Sequence, residues 1–219
     1  MGQNMFDLHT HTTITDGELI PTELVRRMAV AGYKTVAITD HADFSNYAEI
    51  IAASKAVKRS ASVYGVNLLS GIEITHVPPG EIDELAKLAK DAGADIVVVH
   101  GETPVEPVAG GTNLAACSSA YVDILAHPGL ISDETATEAA KNGVALEITS
   151  RGGHNRTNGH VFATAKRFGC LCVVDSDSHS PGDIMSMTER VVVARGAGMS
   201  PAEAETVLSV KTLNRILGK

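Results

Sequence analysis

The chain has 219 residues, of which 44% are apolar and 20% charged, and these proportions are ordinary for a folded globular protein. Lys and Arg number 18 against 26 Asp and Glu, so the formal net charge is −8, which excludes a protein whose whole surface holds nucleic acid or anionic lipid. No stretch approaches the roughly 18 apolar residues of a membrane-spanning helix, and the amino terminus lacks the pattern of a signal peptide. We therefore expect one domain over residues 1–219, located in the cytoplasm and without membrane contact.

Seven short apolar runs alternate with helical patterns along the chain, and no change of composition divides them. Most of the runs are continuously apolar, which is typical of parallel strands buried on both faces. The helical patterns carry end signals: Pro21 suits a first helical turn, Gly32 suits the residue after that helix, and Ser200 with Pro201 predicts another helix start. The predicted strands cover residues 5–9, 35–39, 67–73, 95–99, 122–126, 144–149 and 170–175. This alternation predicts a parallel α/β fold, either a barrel or a doubly wound sheet.

The chain contains nine histidines, and most of them lie where a predicted strand gives way to a loop. In a parallel barrel the carboxyl ends of all strands meet at one rim, so side chains remote in sequence are predicted to share a pocket. Imidazoles and carboxylates are the side chains that divalent metal ions bind. The positions at strand ends are His9, His11, His41, Glu73, His100, His127, Asp177 and His179. The sequence therefore predicts a metal site at this rim.

Two further carboxylates and three further histidines need separate interpretations. Asp7 and Asp175 precede ligand-type residues by two positions, so each is predicted to accept the ring N–H of a ligating histidine. His76, His154 and His160 lie off the strand-end pattern, and we interpret them as solvated or locally hydrogen-bonded.

Seven segments of the sequence, taken together, resemble the motifs of the PHP (polymerase and histidinol phosphatase) superfamily. They are FDLHTHT, ITDG, VAITDHAD, GIEI, VVVH, LAHPG and DSDSH, in that order. The resemblance covers residues 5–180 and is strongest to stand-alone phosphoesterases similar to histidinol-phosphate phosphatase. It implies an α/β fold of the distorted seven-stranded (β/α)7 TIM-like barrel type with three divalent metal ions. Mixed imidazole and carboxylate ligands accept zinc, manganese or iron, so the metal stays open.

The resemblance also implies which residues bind each ion, with Glu73 as a bridge between two of them. Family members vary between His and Asp at the position of Asp16. The implied ligands are His9, His11, Glu73 and Asp177 for the first ion, Glu73, His100 and His127 for the second, and Asp16, His41 and His179 for the third.

The implied chemistry is hydrolysis of a small phosphorylated metabolite, such as histidinol phosphate or a nucleotide, by a metal-activated hydroxide. Asp16 or His179 is the candidate that protonates the leaving alkoxide. Arg151 follows the sixth predicted strand, and its planar guanidinium suits a phosphate, although pairing with Glu147 or solvent is the alternative. Arg156 and His154 on the same loop are weaker candidates.

Two other functions stay open from the sequence. An amidohydrolase-type C–N hydrolase also begins with a strand-borne His-x-His, but many such enzymes bridge their metals with a modified lysine at the fourth strand end, where this chain has His100. A non-catalytic, metal-bound PHP scaffold is the other alternative. The loop at 101–113 is predicted to border the pocket and to shape specificity. We expect a small-molecule phosphate ester as partner and no nucleic-acid polymer, and the sequence does not determine the oligomeric state.

Overall fold

A computed structural model describes residues 5–218, in which parallel strands form a nearly closed barrel surrounded by helices. Neighbours in the sheet follow the order β1, β2, β4, β5, β6, β7, β8, and an isolated parallel bridge between Thr10 and Ser178 joins its two ends. The strands are β1 (Met5–Asp7), β2 (Tyr33–Ile38), β3 (His41–Ala42), β4 (Asn67–Ile74), β5 (Ile96–His100), β6 (Ile124–Ala126), β7 (Ala145–Thr149) and β8 (Cys172–Asp175). The predicted α/β barrel is confirmed, and each of the seven predicted strands overlaps an observed one.

The helices lie outside the sheet, and the predicted end signals hold. The first helix begins at Pro21, and Gly32 follows it with a φ of 100°, while Ser200 forms a capping box at the start of a later helix. None of the helices within residues 5–218 is both long and apolar enough to cross a membrane. The helices are α1 (Pro21–Ala31), α2 (Tyr47–Ala56), α3 (Lys58–Val63), α4 (Ile82–Asp91), α5 (Thr112–Ser118), α6 (Asp133–Asn142), α7 (Asn158–Phe168), α8 (Met187–Gly196), α9 (Pro201–Val207) and α10 (Val210–Leu217).

The second strand position of the barrel is divided between two strands. β2 pairs with β4 and ends at Ile38; after Thr39 and Asp40 the chain pairs with β4 again as β3, with His41 opposite Glu73. The sequence pattern predicted only one strand here, because a two-residue strand has no periodicity to detect. The break brings His41 directly beside Glu73 at the carboxyl rim.

The interior of the barrel is apolar at the strand starts and polar at the strand ends. Leu69 and Glu73 lie on the same face of β4, since side chains alternate along a strand. The interior apolar cluster also contains Leu213 and Ile216 of α10. Its strand members are Phe6, Leu8, Ala37, Leu69, Ile96, Val98, Ile124, Ala126, Ala145 and Val173. The C-terminal helix therefore packs against the end of the barrel opposite the polar rim.

The β1/β8 seam, where the two ends of the sheet meet, is bridged by side chains. Asp175 Oδ1 accepts a hydrogen bond from the backbone N–H of Leu8 at 2.9 Å, and the Asp7 carboxylate accepts one from the backbone N–H of Ser176 at 3.2 Å. All four residues are almost completely buried. The two carboxylates therefore accept hydrogen bonds from backbone N–H groups that have no partner strand at this point of the sheet.

A buried arginine of α8 crosses the same seam. The Arg190 guanidinium donates to the carbonyl of Phe6 in β1 and, at 2.6 Å, to the carbonyl of Val174 in β8. It also lies over the rings of Phe6 and Tyr33, with 5.1 and 5.6 Å to the ring centroids. Arg190 is 1% exposed, so its charge is held by these carbonyls, by the aromatic faces and by the nearby carboxylates.

Candidate metal centre

The carboxyl rim of the barrel collects every residue that the sequence predicted as a metal ligand. Each one follows a strand, ends a strand, or lies on the loop between β1 and α1. Most are buried, whereas the Asp16 side chain is 52% exposed and marks the open side. Four sets of side chains at this rim have their ligand atoms within 4.8 Å of one another. They are described below as three adjoining groups, the inner, outer and histidine groups.

The inner group comprises His9, His11, Glu73 and Asp177. His9 Nε2 lies 3.4 Å from Glu73 Oε1, and His11 Nε2 lies 3.5 Å from Glu73 Oε2. Asp177 Oδ1 is 3.2 Å from His11 Nε2 and 3.7 Å from His9 Nε2. The two imidazole Nε2 atoms are 3.1 Å apart. Two imidazole nitrogens and two carboxylates therefore point at one volume, which is the donor set that a divalent cation prefers.

The outer group comprises His11, Asp16, His41 and His179. Asp16 Oδ2 lies 3.2 Å from His179 Nε2 and 3.4 Å from His41 Nε2. The Nδ1 atom of His41 is hydrogen-bonded to Thr75 Oγ1 at 2.8 Å, which leaves Nε2 directed at Asp16. The predicted third set is thus assembled, with His11 added at its inner side.

A buried carboxylate organises the loop that carries Asp16. Asp40 lies in the break between β2 and β3 and is 0% exposed. It accepts hydrogen bonds from Thr12 N, Thr12 Oγ1 and Thr15 Oγ1, each at 2.7 Å. The loop between β1 and α1 is therefore held against the rim immediately before Asp16.

The histidine group comprises His100, His127 and His154. The rings of His100 and His127 lie 4.6 Å apart between centroids, and those of His127 and His154 lie 4.4 Å apart. Glu73 Oε1 is 3.6 Å from His127 Nε2, so the predicted second set of Glu73, His100 and His127 also comes together. The interpretation of His154 as a solvated or locally bonded residue is wrong: it is 9% exposed and belongs to this group.

His154 escaped the strand-end pattern because it lies five residues beyond β7, in a short 3₁₀ helix at His154–Thr157. That turn brings the ring back over the rim. The sequence did contain a sign of this turn, the glycine pair Gly152 and Gly153 before it. Gly153 has a φ of 90°, a conformation that glycine adopts readily and that turns the chain back toward the rim. The interpretation holds for His160, whose Nε2 hydrogen-bonds the carbonyl of Ile131 at 2.9 Å. It also holds for His76, which is half exposed and pairs with Glu106 at 3.2 Å.

Several buried polar atoms of these groups lack hydrogen-bond partners within residues 5–218. They include Nδ1 of His11, His127 and His154. The buried Glu73 carboxylate is surrounded by imidazole nitrogens: His41 Nδ1 lies 2.9 Å from Oε2, and His9 Nε2 lies 3.4 Å from Oε1. Buried ring nitrogens without partners are costly. A bound cation satisfies such a set of donors, so the residues present fit divalent metal ions.

The ionisation of the site is set by burial and by its own charges. Burial disfavours the charged form of Glu73, but His9 and His41 outweigh this and hold its pKa well below the usual value. Burial also opposes protonation of His9, yet Glu73, Glu147 and Asp177 raise the pKa of His9 well above normal. Burial lowers the pKa of His127 far below normal, so its ring is neutral. Metal ions bind imidazoles in their neutral form, so an ion that enters the inner group would displace the proton of His9, whereas His127 is already neutral.

Glu147 fixes the orientation of the inner group from outside it. Its Oε1 accepts a hydrogen bond from His9 Nδ1 at 2.7 Å, and its Oε2 accepts one from the backbone N–H of His127 at 2.8 Å. His9 Nε2 is thereby left free to face the inner group. The prediction that Asp7 and Asp175 hold ligand rings is wrong, because both carboxylates are used by backbone N–H groups at the β1/β8 seam.

Two of the candidate ligands have unusual backbone conformations. His127 has a φ of 26° and Asp177 a φ of 51°, both in the region that disfavours residues with a Cβ. Such strain persists where surrounding contacts determine the conformation, and it is concentrated at functional sites. Here it directs His127, after β6, into the histidine group and Asp177, after β8, into the inner group.

The three groups surround a cavity of about 90 Å³ at the centre of the rim. Arg151 lies at its edge and is about one-third exposed; its Nη1 is 3.4 Å from Asp183 Oδ2. Glu147, the alternative partner considered for Arg151, is instead occupied by His9. Arg156 is exposed and does not line the cavity. Glu106 also lines it, so the loop at 101–113 borders the pocket as predicted.

Comparisons with known proteins agree with this geometry. The PHP domain family matches residues 7–100. An uncharacterized protein of Methanocaldococcus jannaschii is 50% identical over 205 residues, which cover 93% of this chain and 94% of that protein. A probable phosphatase of Shewanella piezotolerans is 32% identical over 80% of this chain and 78% of its own length.

Solved structures with low sequence identity share the fold. A chain of an archaeal ribonuclease P, solved with mature tRNA, superposes with a TM-score of 0.71 at 18% identity, covering 97% of this chain and 90% of its own. The histidinol phosphate phosphatase of Lactococcus lactis, solved with zinc, L-histidinol and phosphate, gives a TM-score of 0.63 at 16% identity, covering 90% and 95%. The same barrel therefore occurs in proteins of different activity, so the side chains at the carboxyl rim, rather than the fold, determine the function.

Proposed function

Because the chain belongs to the PHP domain family of metal-dependent phosphoesterases, we propose that it hydrolyses a small organic phosphomonoester at a site of three divalent ions. The ions are zinc, manganese or iron, as the mixed nitrogen and oxygen donors allow. The observation that supports the proposal is the convergence of buried imidazole nitrogens and carboxylate oxygens in three adjoining groups, several of these atoms having no hydrogen-bond partner within residues 5–218.

Glu73 is the residue on which the number of ions depends. Its Oε1 faces His9 and His127, while its Oε2 faces His11. One carboxylate therefore lies between the inner group and the histidine group, as a bridging ligand does. The inner group, the histidine group and the outer group would each hold one ion.

When bound, divalent ions lower the pKa of a coordinated water and neutralise charge on the phosphoryl oxygens. The protein supplies the other functions. Glu147 fixes the His9 ring, and Arg151 at the edge of the cavity binds a phosphoryl oxygen with its guanidinium. Asp16 and His179 stand at the open side, 3.2 Å apart. As ligands of the outer ion they would carry no proton to give, so we propose that the leaving oxygen takes its proton from solvent at this side.

The charge of the site favours a small ester over a nucleic-acid polymer. Arg151 is the one Lys or Arg side chain that lines the small cavity among residues 5–218, while Asp16, Glu106 and Asp177 line it too. The formal net charge of the chain is −8. Attraction for phosphate therefore comes from the bound ions and one arginine, which suits a single phosphoryl group rather than a polyanion. The C–N hydrolase alternative loses support because no lysine lines this cavity.

A panel of phosphomonoesters tests the proposal, with released phosphate and bound metal as the two readouts. Protein purified without chelator and supplied with Zn²⁺ or Mn²⁺ is expected to release inorganic phosphate and to contain about three ions per chain by elemental analysis. Glu73→Gln keeps the shape but removes the charge between two groups, so it should lose more than one ion and at least about a hundredfold in turnover.

Glu205→Gln is the matched control, because Glu205 is exposed on α9, away from the rim. It should keep both the ion content and the turnover of the unmodified protein. Full metal loading with no phosphate release from any monoester would contradict the proposed function. Ion content unchanged by Glu73→Gln would contradict the bridging role.

A further inference from the structure

A second, larger cavity adjoins the small cavity of the metal centre. It measures about 630 Å³, within the roughly 300 to 1,000 Å³ of sites that bind small organic molecules. The small cavity, at about 90 Å³, is far below this range, so the organic part of a substrate must lie outside it. Arg151 and His154 line both cavities, which therefore meet at these two residues.

One wall of the larger cavity is aliphatic. It is built by Ile184 and Met185, on the segment before α8, and by Val192 and Val193 of α8 itself. Met185 is buried, but Val192 is 63% exposed, which is unusual for a β-branched apolar side chain beside a polar site. Burying this wall against an apolar group is favourable by roughly 25 cal/mol per Å².

The larger cavity is also lined by hydroxyls and carboxylates, some of them next to the aliphatic wall. Ser150 and Ser176 contribute hydroxyl groups, and Asp183 and Glu189 contribute carboxylates. Hydrogen bonds from Ser186 hold the pKa of Glu189 below its usual value, so this group is ionised at neutral pH. Since Asp183 already lies beside the Arg151 guanidinium, no cation of the lining is free to bind a second anionic group.

On the basis of the proposed function, we propose that the larger cavity binds the leaving alcohol of the substrate, and that this alcohol has an apolar body and no negative charge. The phosphoryl group then lies in the small cavity and the ester bond crosses the junction at Arg151 and His154. An apolar body covers the aliphatic wall, and hydroxyl or amide groups of the alcohol meet the serines. The carboxylates disfavour a second phosphate or a continuing nucleic-acid chain.

Two alkyl esters of similar chemical reactivity test the size and polarity of the leaving group. Phenethyl phosphate carries an apolar body, whereas ethyl phosphate does not. The metal-loaded protein is expected to hydrolyse phenethyl phosphate with a kcat/KM at least about tenfold higher. The para-carboxylate derivative of phenethyl phosphate should lose most of this advantage, because its charge meets Asp183 and Glu189.

Two variants on α8 test whether the preference for phenethyl phosphate over ethyl phosphate arises in the larger cavity. Val192→Asp places a charge in the aliphatic wall and should reduce the phenethyl-to-ethyl ratio to within about threefold of unity. Val191→Asp is the matched control, because Val191 is 39% exposed on the same helix but lines a different groove. The phenethyl-to-ethyl ratio of this variant should stay as high as that of the unmodified protein. Equal ratios in both variants would overturn the assignment to this cavity.

Binding of the free alcohol gives a readout that does not require turnover. Phenethyl alcohol added to metal-free protein should shift the methyl resonances of Val192 and Val193, and not those of Val191. Wild-type hydrolysis of both esters at equal rates, or a gain from the added carboxylate, would overturn this inference while leaving the phosphatase intact. Release of phosphate from neither ester, while other monoesters of the panel are hydrolysed, would overturn this inference alone. Release from no monoester at all would overturn the proposed function as well.

Discussion

Arg151 is the residue at which binding and chemistry meet, because it lines both the small and the large cavity. It lies outside the three donor groups, so its proposed role is to hold a phosphoryl oxygen. We expect Arg151→Ala to lower kcat/KM for phosphomonoesters by about tenfold to a hundredfold, the effect of losing one charge-assisted hydrogen bond of about 1.5 to 3 kcal/mol. Steady-state kinetics on metal-loaded protein measures the change.

Arg156→Ala is the control for this prediction, since Arg156 is exposed on the same loop and lines neither cavity. Its kinetics should match those of the unmodified protein. If both arginine variants lose activity equally, the loop as a whole matters and the guanidinium of Arg151 has no special role.

At the scale of single residues, the strand-end rule predicted which candidate ligands come together but not how their rings are held. His9 and Glu73 follow from position alone, since parallel strands deliver their carboxyl ends to one rim. Glu147 was visible at a strand end, yet its bond to His9 depends on the spacing of neighbouring strands. Asp7 was assigned the wrong partner because β1 ends there, so the alternation assumed beyond it does not apply.

At the scale of elements, α8 holds the barrel closed. Arg190 joins carbonyls of β1 and β8 at the seam, beside the buried carboxylates Asp7 and Asp175. Burial, with the negative charges of Asp7 and Glu147, raises the pKa of Asp175 well above its usual value, so the seam tolerates little further charge imbalance. Removing the guanidinium leaves these carboxylates without their cation.

We therefore expect Arg190→Leu to reduce the free energy of unfolding by about 3 to 5 kcal/mol, the cost of breaking one side of a buried charged arrangement. Arg195→Leu on the same helix removes an exposed arginine bonded to the Met199 carbonyl and should cost less than about 1 kcal/mol. Equilibrium unfolding in urea compares the two. Equal losses would show that the seam does not depend on Arg190.

Sequence patterns predicted well those elements that have a regular run of apolar residues or a recognisable residue at a helix end. The continuous apolar strands and the capping residues Pro21 and Ser200 are local signals, and the structure confirms them. The short β3 and the role of the C-terminal helices have no local signal, because they are defined by contacts with distant parts of the chain. In the sequence, Leu213 and Arg190 cannot be distinguished from other helix residues. Their roles follow only from contacts in the folded chain, Leu213 with the end of the barrel and Arg190 with the β1/β8 seam.

At the scale of the whole molecule, the fold concentrates buried polar groups at one end of the barrel and apolar ones at the other. The rim gathers Glu73, Glu147 and Asp177, all of them buried, within one acidic protein of net charge −8. Carboxylates packed together in a low-dielectric interior repel one another unless cations lie between them. In the metal-free chain the protonated rings of His9 and His41 supply these cations, and bound divalent ions would take their place.

Metal binding should accordingly raise the stability of the entire barrel. A ligand that binds only the folded state at about 100 times its Kd adds about 2.7 kcal/mol per site, and in a domain of this size each kcal/mol shifts Tm by about 2 to 4 °C. We expect Zn²⁺ or Mn²⁺ to raise Tm by about 5 to 10 °C per filled site, and a chelator to reverse the shift, in differential scanning calorimetry. Glu73→Gln should show a smaller shift than the unmodified protein, since it fills fewer sites, whereas Glu205→Gln should show the full one. A Tm that does not respond to metal in the unmodified protein would mean that the unpartnered donors at the rim serve some purpose other than binding cations.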